Sequence, residues 1–338
     1  MRELVWIRRL AFFGAVLCFG VVVLGGYTRL SNSGLGCPDW PGCFGHIVPT
    51  GSAEHYASDA DVRKAWVEMI HRYLATTLGL IIVVMTALSI RARRVPGVSV
   101  GIALVLLVLV VLQGLLGMLT VTWLLKPLIV TGHLVGGLTT FALLLWLWLS
   151  KRAEDRPVNG HSVLAGNRLV EGGSRARLWA GLALGALAVQ VALGGWTSSN
   201  YAAVACPDVP KCQNQWIPTA DYRDAFVMWR GLGINYAGGV LDHPARVAIH
   251  FTHRVGAVVA GTLLLLAAIF AFRGLGAAPR WAAVAVLAAL GAQVFIGVFM
   301  VLRAFPLELA AAHNAGAALL VGATVLLNRK LRPIADFH

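Results

Sequence analysis

Leu24-Gly25-Gly26-Tyr27-Thr28, followed by Cys37-Pro38-Asp39-Trp40-Pro41-Gly42-Cys43, returns at the same offset as Leu193-Gly194-Gly195-Trp196-Thr197, followed by Cys206-Pro207-Asp208-Val209-Pro210-Lys211-Cys212. The echo runs on through Ile70-His71-Arg72 and Thr252-His253-Arg254, Gln113 and Gly117 against Gln293 and Gly297, and Gly132-His133 against Ala312-His313. The chain is therefore two copies of one unit, and self-similarity is the first property of a fold to settle. Each copy keeps two histidines and a cysteine pair, which predicts two equivalent sites.

With 58% hydrophobic and 13% charged residues over 338 positions, the chain is too apolar for an ordinary soluble domain, in which about 25% of residues are charged. Apolar runs long enough to cross about 30 Å of hydrocarbon fall near 10–28, 71–90, 98–121, 127–149, 178–198, 250–271, 280–302 and 307–328. The expected fold is an all-α integral membrane protein of eight transmembrane helices, arranged as two pseudo-symmetric four-helix bundles with long outer loops. Residues 1–150 form the first bundle, 151–177 a cytoplasmic linker rich in glycine and charge, and 178–338 the second bundle. Lys and Arg collect at alternate ends of the spans, at Arg2, Arg8 and Arg9, Arg91 to Arg94, the linker, Arg273, Arg280 and the Arg329 to Arg332 tail. The positive-inside rule then puts both termini in the cytoplasm and the cysteine loops outside. The net charge of +13 is read as this topology signal and not as a nucleic-acid surface. The first apolar run lacks a small-residue cleavage site and is read as a retained span.

Four histidines recur between copies at membrane depth: His71, His133, His253 and His313. A single intramembrane histidine is more often a hydrogen-bonded packing residue than a ligand. Two of them on neighbouring helices of a four-helix unit, duplicated, match axial ligation of a haem iron, with proton relay as the rival. Zinc would ordinarily want four first-shell donors. The copies differ at one position: Glu68 precedes His71 by three residues, whereas His250 precedes His253. A carboxylate one turn from such a ligand is a candidate acid, base or cation stabiliser. It is equally an exposed helix-start residue paired with Arg63, Lys64 or Arg72. Cys37 with Cys43 and Cys206 with Cys212 read as outer-face disulfides, either structural staples or redox-active dithiols. Cys18 reads as a packing residue.

These segments, GGYTRLSNSGLGCPDWPGC, Glu68-Met69-Ile70-His71-Arg72, Gly132-His133-Leu134-Val135-Gly136-Gly137, His250-Phe251-Thr252-His253-Arg254 and Ala312-His313-Asn314, resemble the bacterial haem A synthase family over nearly the whole chain. The resemblance implies oxidation of the C8 methyl of haem O to the formyl group of haem A for terminal oxidases. It implies that His71 and His133 hold the substrate haem iron, that His253 and His313 ligate a resident haem b, and that Glu68 is the catalytic carboxylate. It further implies the bacterial inner membrane, a part in cytochrome oxidase assembly, a membrane electron carrier as partner and a haem O synthase (farnesyltransferase) as substrate donor. Two features depart from well-known members: the first cysteine pair is one residue closer, and the second copy also has a pair. A di-haem bis-histidine electron-transfer cytochrome and a haem carrier are the alternatives. Gly132, Gly136 and Gly137 fit helix contacts within one chain and between subunits alike, so no oligomeric state is assigned.

Overall fold

The computed structural model describes residues 2–49, 58–150, 166–274 and 277–332. Backbone in hydrocarbon must satisfy its own hydrogen bonds, and among the described residues all extended regular structure is helical. Eight helices are long and apolar enough to cross a membrane. They are α1 (Arg2–Leu30), α2 (Asp59–Arg91), α3 (Val100–Thr122), α4 (Pro127–Trp148), α5 (Gly166–Ser199), α7 (His243–Gly274), α8 (Ala277–Leu302) and α9 (Leu307–Leu331), with a short α6 (Tyr222–Ala225) in the connection between α5 and α7. The protein is a multi-pass membrane protein.

Helix α1 packs against α2 and α4, and α3 packs against the same two, closing a ring of four; α5 and α8 each pack against α7 and α9 in the same way. In both rings the histidine-bearing helices, α2 with α4 and α7 with α9, are therefore diagonal partners and not the neighbouring helices expected above. The halves meet where α4 lies on α5 and where α9 lies on α1 and α4. One buried cluster runs through both halves, including Ala11, Ala15 and Leu144 from the first and Ala180, Leu264 and Leu327 from the second. Small residues at such contacts let helix backbones approach closely.

The two histidine-bearing helices that follow the cysteine loops, α2 and α7, begin earlier than their apolar runs. Ser58 caps α2, its hydroxyl accepting the Asp61 N–H, and Asp59 and Asp61 occupy the first turn, where they complement the helix dipole. His71 thus stands about three turns inside α2, and His253 lies similarly deep in α7, which starts at His243. The expected linker 151–177 is also shortened: α5 already begins at Gly166, and residues 151–165 lie outside the described residues.

The long connection between α5 and α7 reaches across to the first half. At the turn between α3 and α4, Leu124 and Leu125 both have positive φ, 51° and 61°, and the Leu124 carbonyl accepts the Tyr236 N–H at 3.1 Å. Lys126, only 2% exposed, sits 3.0 Å from the Trp229 ring centroid and donates to the Gly231 carbonyl. A desolvated ammonium on an aromatic face is worth about 2 kcal/mol. That contact, with the hydrogen bond, offsets the burial of the Lys126 charge.

Candidate functional site

The rings of His71 and His133 face each other across the first ring of helices, centroids 6.5 Å apart and planes at 80°. Each has a glycine behind it: a Cβ on Gly25 would lie 2.8 Å from His71 Cε1, and one on Gly117 3.4 Å from His133 Cε1. The second half repeats the cradle, with Gly194 3.2 Å from His253 Cε1 and Gly297 3.0 Å from His313 Cε1 by the same construction. The repeated glycines of the sequence are the space into which the imidazoles turn. Two imidazoles on opposite sides of one metal ion, bound through bonds of about 2.0–2.1 Å, place their centroids roughly 6 to 6.5 Å apart. The first pair fits that spacing. The Nδ1 atoms of His71, His133 and His313 are buried without a partner, a cost in a bare protein. Among the described residues no three His, Cys, Asp or Glu side chains gather to hold a bare metal ion. Two facing imidazoles instead match the axial positions of a haem iron.

The second pair has side-chain amides bonded beside it. Gln190 Nε2 lies 3.0 Å from both His253 Nδ1 and the His253 carbonyl, and Gln293 Nε2 donates to the His313 carbonyl at 3.0 Å. Gln293 belongs to the repeat, but Gln190 stands where the first copy has Val21. A search for repeated residues passes over it for that reason.

Glu68 is 4% exposed, so the reading of it as a solvated helix-start residue fails. Its Oε2 accepts the Cys37 N–H at 3.0 Å, and its Oε1 accepts from Arg72 Nη2. Of the three cations expected near it, Arg72 is the partner, whereas Lys64 pairs with Asp61 at 3.3 Å. Arg72 also reaches the carbonyls of Asp39 and Gly42. It therefore joins the carboxylate, the cysteine loop and the turn of α2 that carries His71. In the second half Arg254 grips its loop through the carbonyls of Cys206, Asp208 and Lys211 at 2.7–2.8 Å. There Nε donates to His250 Nε2 at 3.1 Å, in place of the carboxylate.

Cys37–Cys43 and Cys206–Cys212 are disulfides, with Cα separations of 4.8 and 4.7 Å. All four cysteines are buried, the first pair against Ala65 and Met69 and the second against Val247. An aspartate closes each turn. Asp39 accepts the N–H groups of Phe44 and Gly45 at 2.6 and 2.8 Å, and Asp208 those of Gln213 and Asn214 at the same two distances. Partial burial alone would raise the Asp39 carboxyl, but the Gly45 and Phe44 N–H groups and the nearby Arg72 hold it below the usual carboxylate range. Asp208 is likewise held down by Asn214, Gln213 and Arg254. Cys18 is buried and its thiol faces the Gly137 carbonyl at 3.6 Å, the packing role expected of it.

A family profile described as Cytochrome oxidase assembly protein (COX15-CtaA) matches residues 8–325. A protein of Shewanella oneidensis named Heme A synthase is 40% identical over 96% of each chain. Proteins of the same name from Caulobacter vibrioides, 29% identical over 95% of each chain, and from Methylobacterium sp. strain 4-46, 31% identical over 96% of this chain and 91% of the relative, are similar throughout. With nearly the whole chain matched and its histidines, cysteine loops and buried glutamate arranged as described, the protein belongs to the COX15-CtaA family of cytochrome oxidase assembly proteins.

Proposed function

We propose that this protein is a haem A synthase, an oxidoreductase that converts the C8 methyl of haem O to the formyl group of haem A for terminal oxidase assembly. The observation that carries the reading is the buried Glu68 one turn from His71, in a half whose two imidazoles have the separation a shared iron requires. Relatives that align along almost the full chain bear the same activity in their names.

In this reading residues 1–150 form the substrate half, with His71 and His133 as the iron ligands of haem O, and 178–338 the half in which His253 and His313 ligate haem b. The bound haems supply the redox chemistry of the methyl oxidation. The protein supplies position and charge. The glycines behind the four imidazoles allow the rings to turn toward the centre of each ring of helices. Arg72 fixes Glu68 Oε1, and Oε2, bonded to the neutral Cys37 N–H, keeps lone-pair capacity with which to stabilise positive charge or take up a proton. Gln190 orients His253, as partners of a metal-bound histidine commonly do. The disulfides brace the loops whose carbonyls Arg72 and Arg254 hold, which favours the staple over the exchanging dithiol. The bacterial inner membrane, cytoplasmic termini and outward cysteine loops follow from the distribution of Lys and Arg. A membrane electron carrier and a haem O-producing farnesyltransferase are the partners this chemistry calls for.

Acid extraction and chromatography of the haems bound to purified protein tests the reading. Haem b together with haem O or haem A is expected. Haem b alone, even from a host supplied with a haem O source, would overturn it in favour of a di-haem electron-transfer cytochrome.

A further inference from the structure

The Gly-Gly step that heads each repeat touches both halves at once. On α1, Gly25 gives room to the His71 ring, and a Cβ on the next residue, Gly26, would overlap the side-chain amide of Asn314. His71 belongs to the first half, whereas Asn314 directly follows His313 in the second. The arrangement is mirrored on α5. Gly194 gives room to His253, and a Cβ on Gly195 would meet Leu134 Cδ2 at 3.1 Å and Thr131 Cγ2 at 3.3 Å; Leu134 directly follows His133. Each glycine pair therefore seats the ligand of its own half on the first residue, and on the second the neighbour of a ligand from the other half. The mirror fails in chemistry. Leu134 offers only packing, but Asn314 Nδ2 donates to the Val22 carbonyl on α1 at 3.2 Å. Val22 lies one turn before Gly26 on the same helix.

We propose that Asn314 is a positioning residue that couples the two histidine pairs. A close-packed interior transmits displacement and does not absorb it. A change at His71 that presses on or releases Gly25 moves α1, and the Asn314–Val22 bond carries that movement into α9 and to His313. Energetic coupling of this kind is reciprocal, so the state of the second site also acts on the first. The inference rests on the haem-binding reading above, and it gives the asymmetric asparagine a task that its mirror-related leucine cannot perform.

The experiment uses the full-length protein purified from hosts with and without a haem O source. The haem b midpoint potential is read by reductive titration in the visible spectrum. In the unaltered protein the midpoint shifts when haem O is loaded. Asn314→Leu, which installs the side chain of the mirrored junction, retains both haems and loses that shift. Gly26→Ala displaces the same amide from the α1 side and diminishes it. An equal shift in Asn314→Leu and the unaltered protein overturns the proposal, as does the absence of any shift in the unaltered protein. If Asn314→Leu fails to assemble, an undiminished shift in Gly26→Ala overturns it. Haem extraction from the same samples keeps the two readings apart: two bound haems without a shift refute the coupling alone, while a protein that binds none refutes the function.

Discussion

The first and second halves hold their cysteine loops in the same manner and differ in what they place beside the histidine. Arg72 and Arg254 occupy equivalent positions and bind equivalent loop carbonyls. Between arginine and loop the first half inserts a buried carboxylate and the second a buried imidazole, Glu68 and His250. The reverse asymmetry lies behind the histidine, where the first half has apolar Val21 and the second has Gln190 against the ring. A duplicated scaffold has thus kept its mechanical parts and divided its polar ones. The half with the carboxylate has chemistry to offer a bound molecule, and the half with the extra amide has a more firmly oriented ligand.

The largest expected effect separates those two inserts. Glu68→Gln keeps the size of the side chain and an oxygen for the Cys37 N–H, but removes the charge. Haem A formation should fall by about 10²-fold or more, the usual contribution of a positioned acid–base group, with the haem content of purified protein unchanged. His250→Gln, at the matching position, keeps an acceptor for the Arg254 guanidinium and should leave haem A formation within about fivefold of normal, the equivalent of about 1 kcal/mol for one altered hydrogen bond. Equal losses in the two variants, assayed by the haem A to haem O ratio in extracts, would abolish the proposed division of labour.

A smaller difference is expected for the arginines. Arg72→Met leaves Glu68 buried without its cation, a class of change that costs about 3 to 5 kcal/mol. Arg254→Met strands neutral carbonyls and a neutral imidazole, for which about 1 to 3 kcal/mol is the usual range. The first disulfide should therefore become more accessible to a phosphine reductant than the second when each variant is compared with the unaltered protein. Mass spectrometry of the alkylated cysteines reads both loops in one sample. Equal sensitivity would mean that the carbonyl grip, and not the ion pair, holds the first loop.

The features that repeat at fixed offset could be read before any coordinates: eight spans, paired histidines, paired cysteines and the lone Glu68. Hydropathy located each span but set the start of α2 near His71, because the Ser58-capped outer turns are polar and leave no apolar signal. The expectation of neighbouring histidine helices fails because each ring follows chain order, which sets α2 across from α4 and α7 across from α9. Glu68 allowed two readings until its burial was known, since Cys37, its backbone partner, lies 31 residues away. Lys126 was illegible for a similar reason. Its aromatic partner Trp229 and its acceptor Gly231 come from the other half of the chain. Gln190 was hidden because the repeat highlights what the copies share.

The smallest expected effect bears on what the halves have in common. Asp39 and Asp208 each close a turn in which the donating N–H groups belong to residues of positive φ, Phe44 and Gly45 in one loop and Gln213 and Asn214 in the other. Both carboxyls are held below their ordinary range in the folded loops. A depressed carboxyl contributes stability that is fully present above its unfolded value, about 3.9 for aspartate. That contribution is lost as pH falls through the lower folded value. Amide hydrogen exchange of the two loops, corrected for intrinsic rates, should therefore be flat from pH 7 to about 5 and rise below about 4, by a similar factor in both. Asp39→Asn and Asp208→Asn should remove the rise in their own loop only. Because Arg72 is shared between Asp39 and the Glu68 ion pair while Arg254 faces a neutral histidine, an acid response confined to the first loop would trace the sensitivity to Glu68. The aspartate turns would then be passive features of the repeat, and the two halves would differ in the mechanics of their loops as well as in the chemistry beside their histidines.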